Sequence, residues 1–351
     1  MFSLLHYSGK KVLVTGGLGF IGSNLAVRLA ELGATVSVID NLEPSCGANR
    51  LNLASVSDGV TVIESDLSGA AHYQRVLPEQ QVIFNLAGEV SHPRSMSDPE
   101  RDLRINTLSQ LRFLRACAEH NPGVRIVHAG TRQIYGTPIQ LPVDEAHPAR
   151  PLDFNGVHKL AAEQYHTIMD RLRLLDCVVL RLSNVYGPRM ALGLEGQGFL
   201  LTYLNRLVRG QGLEVFGDGS QLRDPVHVND VVDAFLRAGF LQTERRKVYN
   251  IAGPEALTLR EIAVISARAA GGQPIFFREF PADRKPIDIG SFHADLRRAR
   301  QALGWFPQIR FETGIAGTLA FYSVQAGNYA SLAPVSMAAK VVGGLKSCDA
   351  A

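Results

Sequence analysis

The stretch VTGGLGFIGSNLAVRLAELG, residues 14–33, runs a β-branched strand into an amphipathic helix through a turn that holds Gly16, Gly19 and Gly22. Each glycine answers a different steric demand. The first lets the chain turn tightly, the second lets an anionic group reach the main chain, and the third lets the helix pack closely on the strand. Unpaired N–H groups at the helix start, with Phe20 and Ile21 in its first turn, attract phosphate-like charge. This spacing predicts the first β–turn–α unit of a parallel sheet.

Similar β-branched runs recur at 35–40 (TVSVID), 60–65 (VTVIES), 81–87 (QVIFNLA), 124–130 (VRIVHAG) and 177–183 (CVVLRLS). They are continuously apolar, as strands buried on both faces must be. The stretch 98–120 (DPERDLRINTLSQLRFLRACAEH) places Leu103, Thr107, Leu111 and Leu114 on one helical stripe behind Asp98 and Pro99. The predicted class is α/β: a doubly wound parallel sheet of Rossmann type with a smaller C-terminal α/β substrate lobe. Residues 1–185 make the first domain and 186–325 the lobe, interleaved with it. In the lobe, helices are expected near 197–209, 229–241 and 258–270 and strands near 213–216 and 247–251, while 326–351 read as a tail without an assigned role.

Composition narrows the function. Of 351 residues 46% are hydrophobic, enough for a sizeable core, and the formal net charge of +3 is spread without basic runs. Nucleic acid and membrane surfaces are therefore not expected partners, whereas an anionic small molecule is allowed. Cys46, Cys117, Cys177 and Cys348 show neither CxxC nor metal-like spacing, so neither a disulfide nor a metal site is expected. The first ten residues lack a secretory apolar core and no run is long enough to cross a bilayer, which points to a cytoplasmic protein.

Asp40 closes the second strand. A carboxylate there accepts hydrogen bonds from a ribose diol and repels a 2′-phosphate, so the expected dinucleotide is NAD rather than NADP. Asn41 beside it, Asp66 and Leu67 after the third strand, and Leu86 and Ala87 in NLAG (85–88) complete the expected cofactor wall.

Beyond these, SDL (65–67), NLAGEVSH (85–92), RLSNVYGPR (181–189), FGDGSQLRDPVHVNDVVDA (216–234) and ADLRRARQALGWFP (294–307) stand in order along the chain. With TGGLGFIGSNL (15–25) they resemble the extended short-chain dehydrogenase/reductase family, and within it the NAD-dependent nucleotide-sugar epimerases and dehydratases of the UDP-glucose 4-epimerase type. The resemblance runs from about Lys10 to Tyr322. It implies a bound NAD that takes a hydride from a sugar carbon, usually C4, and returns it to a transient keto sugar. The implied substrate is a nucleoside diphosphate sugar and the implied assembly a homodimer, through the helices at 98–120 and 155–173.

Such chemistry needs a base, a hydroxyl donor to the sugar oxygen and a nearby positive charge. The family supplies Tyr and Lys in a YxxxK pattern, with a Ser or Thr from a preceding strand. Lys159 matches the lysine, and Thr131, four residues before Tyr135, matches the hydroxyl. Family dehydratases follow that hydroxyl with an Asp–Glu pair; Arg132 and Gln133 stand here instead, which disfavours elimination and decarboxylation by the usual route. The resemblance also implies substrate contacts from Ser91, His92, Asn184, Arg223 and Arg284, arginine suiting phosphate because its planar fork meets two oxygens at once.

Asn155, four residues before Lys159, occupies the tyrosine position. An amide orients a hydroxyl or a water but does not accept its proton. Three explanations stay open at this level. The proton leaves through Thr131 and a water held by Asn155; or another group is the base, His158 on the same helix or His92 or Glu89 from the loop after the fourth strand; or catalysis has been lost. Asn155 also suits a helix N-cap. The leading expectation is an epimerase-like enzyme with an atypical proton-transfer site, set against an atypical dehydratase or oxidoreductase and against a non-catalytic NAD- and nucleotide-sugar-binding protein.

Overall fold

The apolar runs become neighbouring strands of one sheet in the structure, a computed structural model that describes residues 4–194, 198–240, 247–282 and 285–330. Its strands are β1 (Lys11–Thr15), β2 (Thr35–Asp40), β3 (Val60–Glu64), β4 (Val82–Asn85), β5 (Arg125–Thr131), β6 (Asp176–Leu182) and, later in the chain, β11 (Val248–Ile251). All pair in parallel, in the order β11-β6-β5-β4-β1-β2-β3. The order reverses between β1 and β4, and the crevice beyond the carboxyl ends of those two strands is where an open α/β sheet receives ligands.

Successive side chains leave β1 on opposite faces. Val12 and Val14 pack with Leu25 and Leu29 of α1 (Phe20–Glu31) and Phe235 of α7 (Val228–Gly239). Leu13 packs with Phe113, Leu114 and Cys117 of α4 (Ser109–His120) on the other side. Both faces are dry, which is why the strands are apolar without alternation.

The lobe carries three short pairs: β7 (Val185–Tyr186) with β10 (Val226–His227), β8 (Leu213–Phe216) with β13 (Ile275–Arg278), and β9 (Leu222–Arg223) with β12 (Leu257–Thr258). Its helices α6 (Phe199–Val208), α8 (Leu259–Ala269) and α10 (Phe311–Ala330) share a second core built on Leu201, Leu204, Ile262 and Phe311. The short α9 (Arg297–Leu303) packs beside β11. Cys46, Cys117 and Cys177 are free thiols, and Cys348 lies outside the described residues. Among the described residues no helix is long and apolar enough to cross a membrane.

One predicted element is different. The stretch 98–120 is not a continuous helix: α2 (His92–Ser97) is followed by α3 (Pro99–Leu103), a π-helical turn at Arg104–Leu108, and then α4. The wider turn inserts residues into the helical repeat and shifts its phase. Leu103, expected on the buried stripe, is 43% exposed, while Asp102 and Asn106 turn inward instead.

Where the helix Phe154–Arg171 packs on β5, the rings of His128 and His166 stack at 4.0 Å. Burial pushes the His166 imidazole down to about 4, against the opposing hydrogen bond to the Ala162 carbonyl. The folded state thus binds fewer protons than the unfolded chain between about pH 4 and 6.5, so stability is present above that window and is lost as pH falls through it. From pH 7 to pH 5 this group should cost about 2 kcal/mol of unfolding free energy. Urea unfolding at the two pH values checks it: His166→Gln should flatten the pH dependence by that amount, and an unchanged slope would remove His166 as a cause.

Candidate active site

At the end of β1 the chain turns through Gly16 with φ of +67°. A Cβ there would stand 2.9 Å from the main chain of Ala87, which follows β4, and one on Gly22 would stand 2.1 Å from the Gly16 carbonyl oxygen. The turn exists only because these atoms are missing. Gly16, Gly19, Phe20, Ile21 and Gly22 line one side of a deep cavity; Asp40, Asn41, Asp66, Leu67, Leu86 and Ala87 line it further along.

Asp40 is buried, and its two oxygens accept the N–H groups of Leu18 and Leu42, each at 2.9 Å. Burial raises its pKa and those two bonds oppose the rise. The carboxylate therefore ties the glycine turn to the loop after β2 while remaining in the cavity wall. Asn41 donates to Asp66 at 3.1 Å, which joins the ends of β2 and β3. A cradle that a Cβ would fill, followed by a carboxylate at the next strand end, fits the adenosine and pyrophosphate of a dinucleotide.

Deeper in the same wall stand Thr131, His92, Asn155 and Lys159. β5 delivers Thr131, whose Oγ1 accepts the Gln133 N–H at 3.2 Å and so keeps its own proton to donate. α5 (Phe154–Arg171) delivers Asn155 and Lys159. The helix is capped by Asp153, not by Asn155: Asp153 Oδ1 accepts the Gly156 N–H at 2.7 Å. The other oxygen of Asp153 lies 2.8 Å from His92 Nδ1 and accepts from Gln133 Nε2 at 3.2 Å. One carboxylate therefore caps the helix and orients an imidazole of the cavity wall.

Asn155 is buried, and its amide nitrogen donates to the Glu89 carbonyl at 3.1 Å and to Asp102 Oδ2 at 2.9 Å. With both hydrogens engaged on that side, the amide oxygen is left for the cavity. Two further candidate bases are committed elsewhere. Glu89 is buried between Arg94 and Arg101. His158, expected at the catalytic centre, is not in the cavity wall; its Nδ1 lies 2.7 Å from Asp102 Oδ1. The helical spacing that suggested it puts it on the side of α5 facing α3. Lys159 is buried, and burial pulls its pKa down while Asp102, Cys46 and Glu89 pull it up. It packs so closely on Gly88 that a Cβ there would come within 2.5 Å of Nζ.

At the substrate end Asn184 lines the wall, with a buried Oδ1 that has no hydrogen-bond partner. Ser91 is buried as the cap of α2, accepting the Arg94 N–H at 3.4 Å, and is off the wall. Arg223 is also off the wall; it donates to the Leu222 and Gly290 carbonyls at 2.8 and 2.6 Å and to Gln221 at 3.0 Å. Arg284 lies outside the described residues. Sequence reasoning did not anticipate Asp102 or Asp153. Asp153 carried a readable signal, an aspartate directly before a helix start. Asp102 carried none, because its inward turn depends on the π-helical insertion.

Comparison with known proteins agrees with this geometry. Residues 12–252 match the model of the NAD dependent epimerase/dehydratase family. A UDP-glucose 4-epimerase of Mycolicibacterium smegmatis is 36% identical over 318 residues, 89% of this chain and 98% of that protein. The UDP-glucose 4-epimerase of Thermotoga maritima, solved with UDP-glucose, superposes with a TM-score of 0.81 at 27% identity, covering 90% of this chain and 99% of its own. That of Thermus thermophilus, solved with NAD, gives 0.78 at 31% identity, covering 89% and 99%.

The glycine cradle is testable by itself. Gly22→Ala should lower dinucleotide affinity by about 100-fold or more, since the added carbon meets backbone that cannot give way. NAD titration followed by protein fluorescence, with circular dichroism to show an intact fold, measures this. Wild-type affinity in the variant would place the dinucleotide elsewhere.

Proposed function

This chain belongs to the NAD-dependent epimerase/dehydratase family, and from that premise we propose that it is an epimerase acting on a nucleoside diphosphate sugar through a transient keto sugar, with His92 as its proton acceptor. The observation that carries the reading is the convergence of Thr131, His92, Asn155 and Lys159 on the wall that also holds the glycine turn. NAD, when bound, supplies the acceptor and later the donor of the hydride.

The remaining chemistry is assigned to side chains. As the sugar carbon loses hydride, its hydroxyl proton passes to His92 Nε2, directly or through one water. The Asp153 carboxylate 2.8 Å from Nδ1 favours the tautomer protonated there, which leaves Nε2 with a lone pair. Asn155 contributes what an amide can, an acceptor oxygen that aligns the hydroxyl or the water. Thr131 donates to the sugar oxygen, and the Lys159 ammonium stabilises negative charge developing there. When hydride returns to the other face of the carbonyl, His92 gives the proton back, so the cycle has no net proton change.

Epimerisation is preferred to elimination because the two positions after Thr131 hold Arg132 and Gln133, neither a carboxylate. The reading also takes the enzyme as a cytoplasmic homodimer that packs along α3 to α5, where Leu103, Leu108, Val157 and Ile168 are exposed.

The direct experiment offers nucleoside diphosphate sugars to the purified protein while reduced nicotinamide is followed by absorbance and products by NMR; an epimerised sugar is expected. His92→Ala should lower kcat by about 100-fold or more. Added imidazole should restore part of the rate in that variant. Full activity without His92, or an activity loss that imidazole leaves untouched, would take the proton elsewhere.

A further inference from the structure

Arg132 follows Thr131 directly, at the point where the chain leaves β5 for a 3-10 turn spanning Arg132–Tyr135. Because the strand ends there, both side chains reach the same cavity wall instead of opposite faces of the sheet. The Arg132 guanidinium lies over the buried ring of Phe292, 5.0 Å from its centroid. That stacking fixes its plane. Its Nη1 is buried and has no hydrogen-bond partner.

The acids around it are engaged with other groups. Asp224 accepts from the Ser183 hydroxyl and, at 2.7 Å, from the Ala294 N–H. Asp288 accepts from Gln221 Nε2 at 2.8 Å and from the Gly290 N–H at 3.0 Å, and lies 3.6 Å from Arg223. Arg223 adds a second buried positive charge, and burial together with that charge pulls Arg132 down to about 9 against the opposing pull of the Asp224 and Asp288 carboxylates. A buried N–H at Nη1 without an acceptor is unfavourable unless a ligand oxygen completes it. In the same wall the buried Asn184 Oδ1 is also unfilled and asks for a hydroxyl donor.

We infer that Arg132 receives a carboxylate of the sugar itself, so that the substrate is a nucleoside diphosphate hexuronate rather than a neutral hexose. The inference rests on the epimerase reading above, which places the reacting hydroxyl at Thr131. In a hexuronate the carboxylate is borne by C5, the neighbour of C4, whereas the diphosphate is attached at C1 across the ring. Arg132, one residue from Thr131, is placed by this inference on the C5 side of the ring. Arginine is the suitable partner, since a guanidinium held flat offers two parallel N–H donors to two carboxylate oxygens.

The same donors could instead serve the diphosphate, and the experiment separates the two sources. Matched glucuronate and glucose nucleotides, linked to UDP and to dTDP, are assayed for kcat/KM and for binding, with UDP and dTDP alone as further ligands. The wild type should prefer the glucuronate member. Arg132→Gln should reduce that preference on the order of 100-fold, leave the affinity for the free diphosphate unchanged, and keep NAD bound as evidence of an intact fold. Arg132→Lys should recover part of the preference. A wild type that prefers the glucose member overturns the inference while leaving the epimerase reading in place. A parallel fall in free diphosphate affinity in Arg132→Gln also overturns it, by assigning the arginine to the diphosphate. Failure to bind or convert any of the four nucleotide sugars by a protein that holds NAD would instead overturn the epimerase reading, and the inference with it.

Discussion

Everything at this site depends on two approaches of main chain to main chain that no side chain could survive. The Gly22 α-carbon sits where a Cβ would be 2.1 Å from the Gly16 carbonyl, and Gly16 sits where a Cβ would be 2.9 Å from Ala87. The first contact seats α1 on the end of β1. The second draws the loop after β4 against the loop after β1, across the point where the sheet order reverses. The crevice so formed is lined by the start of α1 and by Asp40, and also by Thr131, Asn155 and Lys159.

Around that crevice several buried charges are completed by hydrogen bonds. Glu89 is held by two arginines, and Asp102 bridges Asn155 and His158. Arg181 donates to Glu163 through bonds of 2.9 and 2.6 Å and to the Tyr135 hydroxyl at 2.7 Å. Breaking one member of such a buried set leaves the other uncompensated, so these groups hold α5 rigidly in place. α5 carries both Asn155 and Lys159, so its position sets where these two side chains stand in the cavity wall. In the cavity wall Arg132, Asn184 and His92 each keep a buried polar atom without a hydrogen-bond partner.

The parallel sheet was readable because its cause is local. A strand covered on both faces must be apolar along its length, and the runs at β1 to β6 are. The glycine turn and Asp40 were readable for the same reason, since their demands lie within a short segment. The continuous helix expected at 98–120 failed because a π-helical turn carries no distinctive composition; it is selected by what its wider loop lets Asp102 and Asn106 reach. Asn155 as a helix cap failed because a better cap, Asp153, stood two residues earlier.

Sequence alone determined the strand–turn–helix order, the glycines at the tight turn after β1, and the succession of Thr131, Asn155 and Lys159 along the chain. Each is a property of neighbouring residues and of the steric limits of the backbone. Only the tertiary structure decided which imidazole lines the cavity. His158 and His92 are equally plausible as residue types, but packing of α5 against α3 turns His158 to Asp102, while the loop after β4 brings His92 to Asp153 at the wall. Arg223 and Arg132 were sorted in the same way. The first is bound to lobe carbonyls and the second is left open beside Thr131, because hydrogen-bond satisfaction is settled by neighbours distant in the chain.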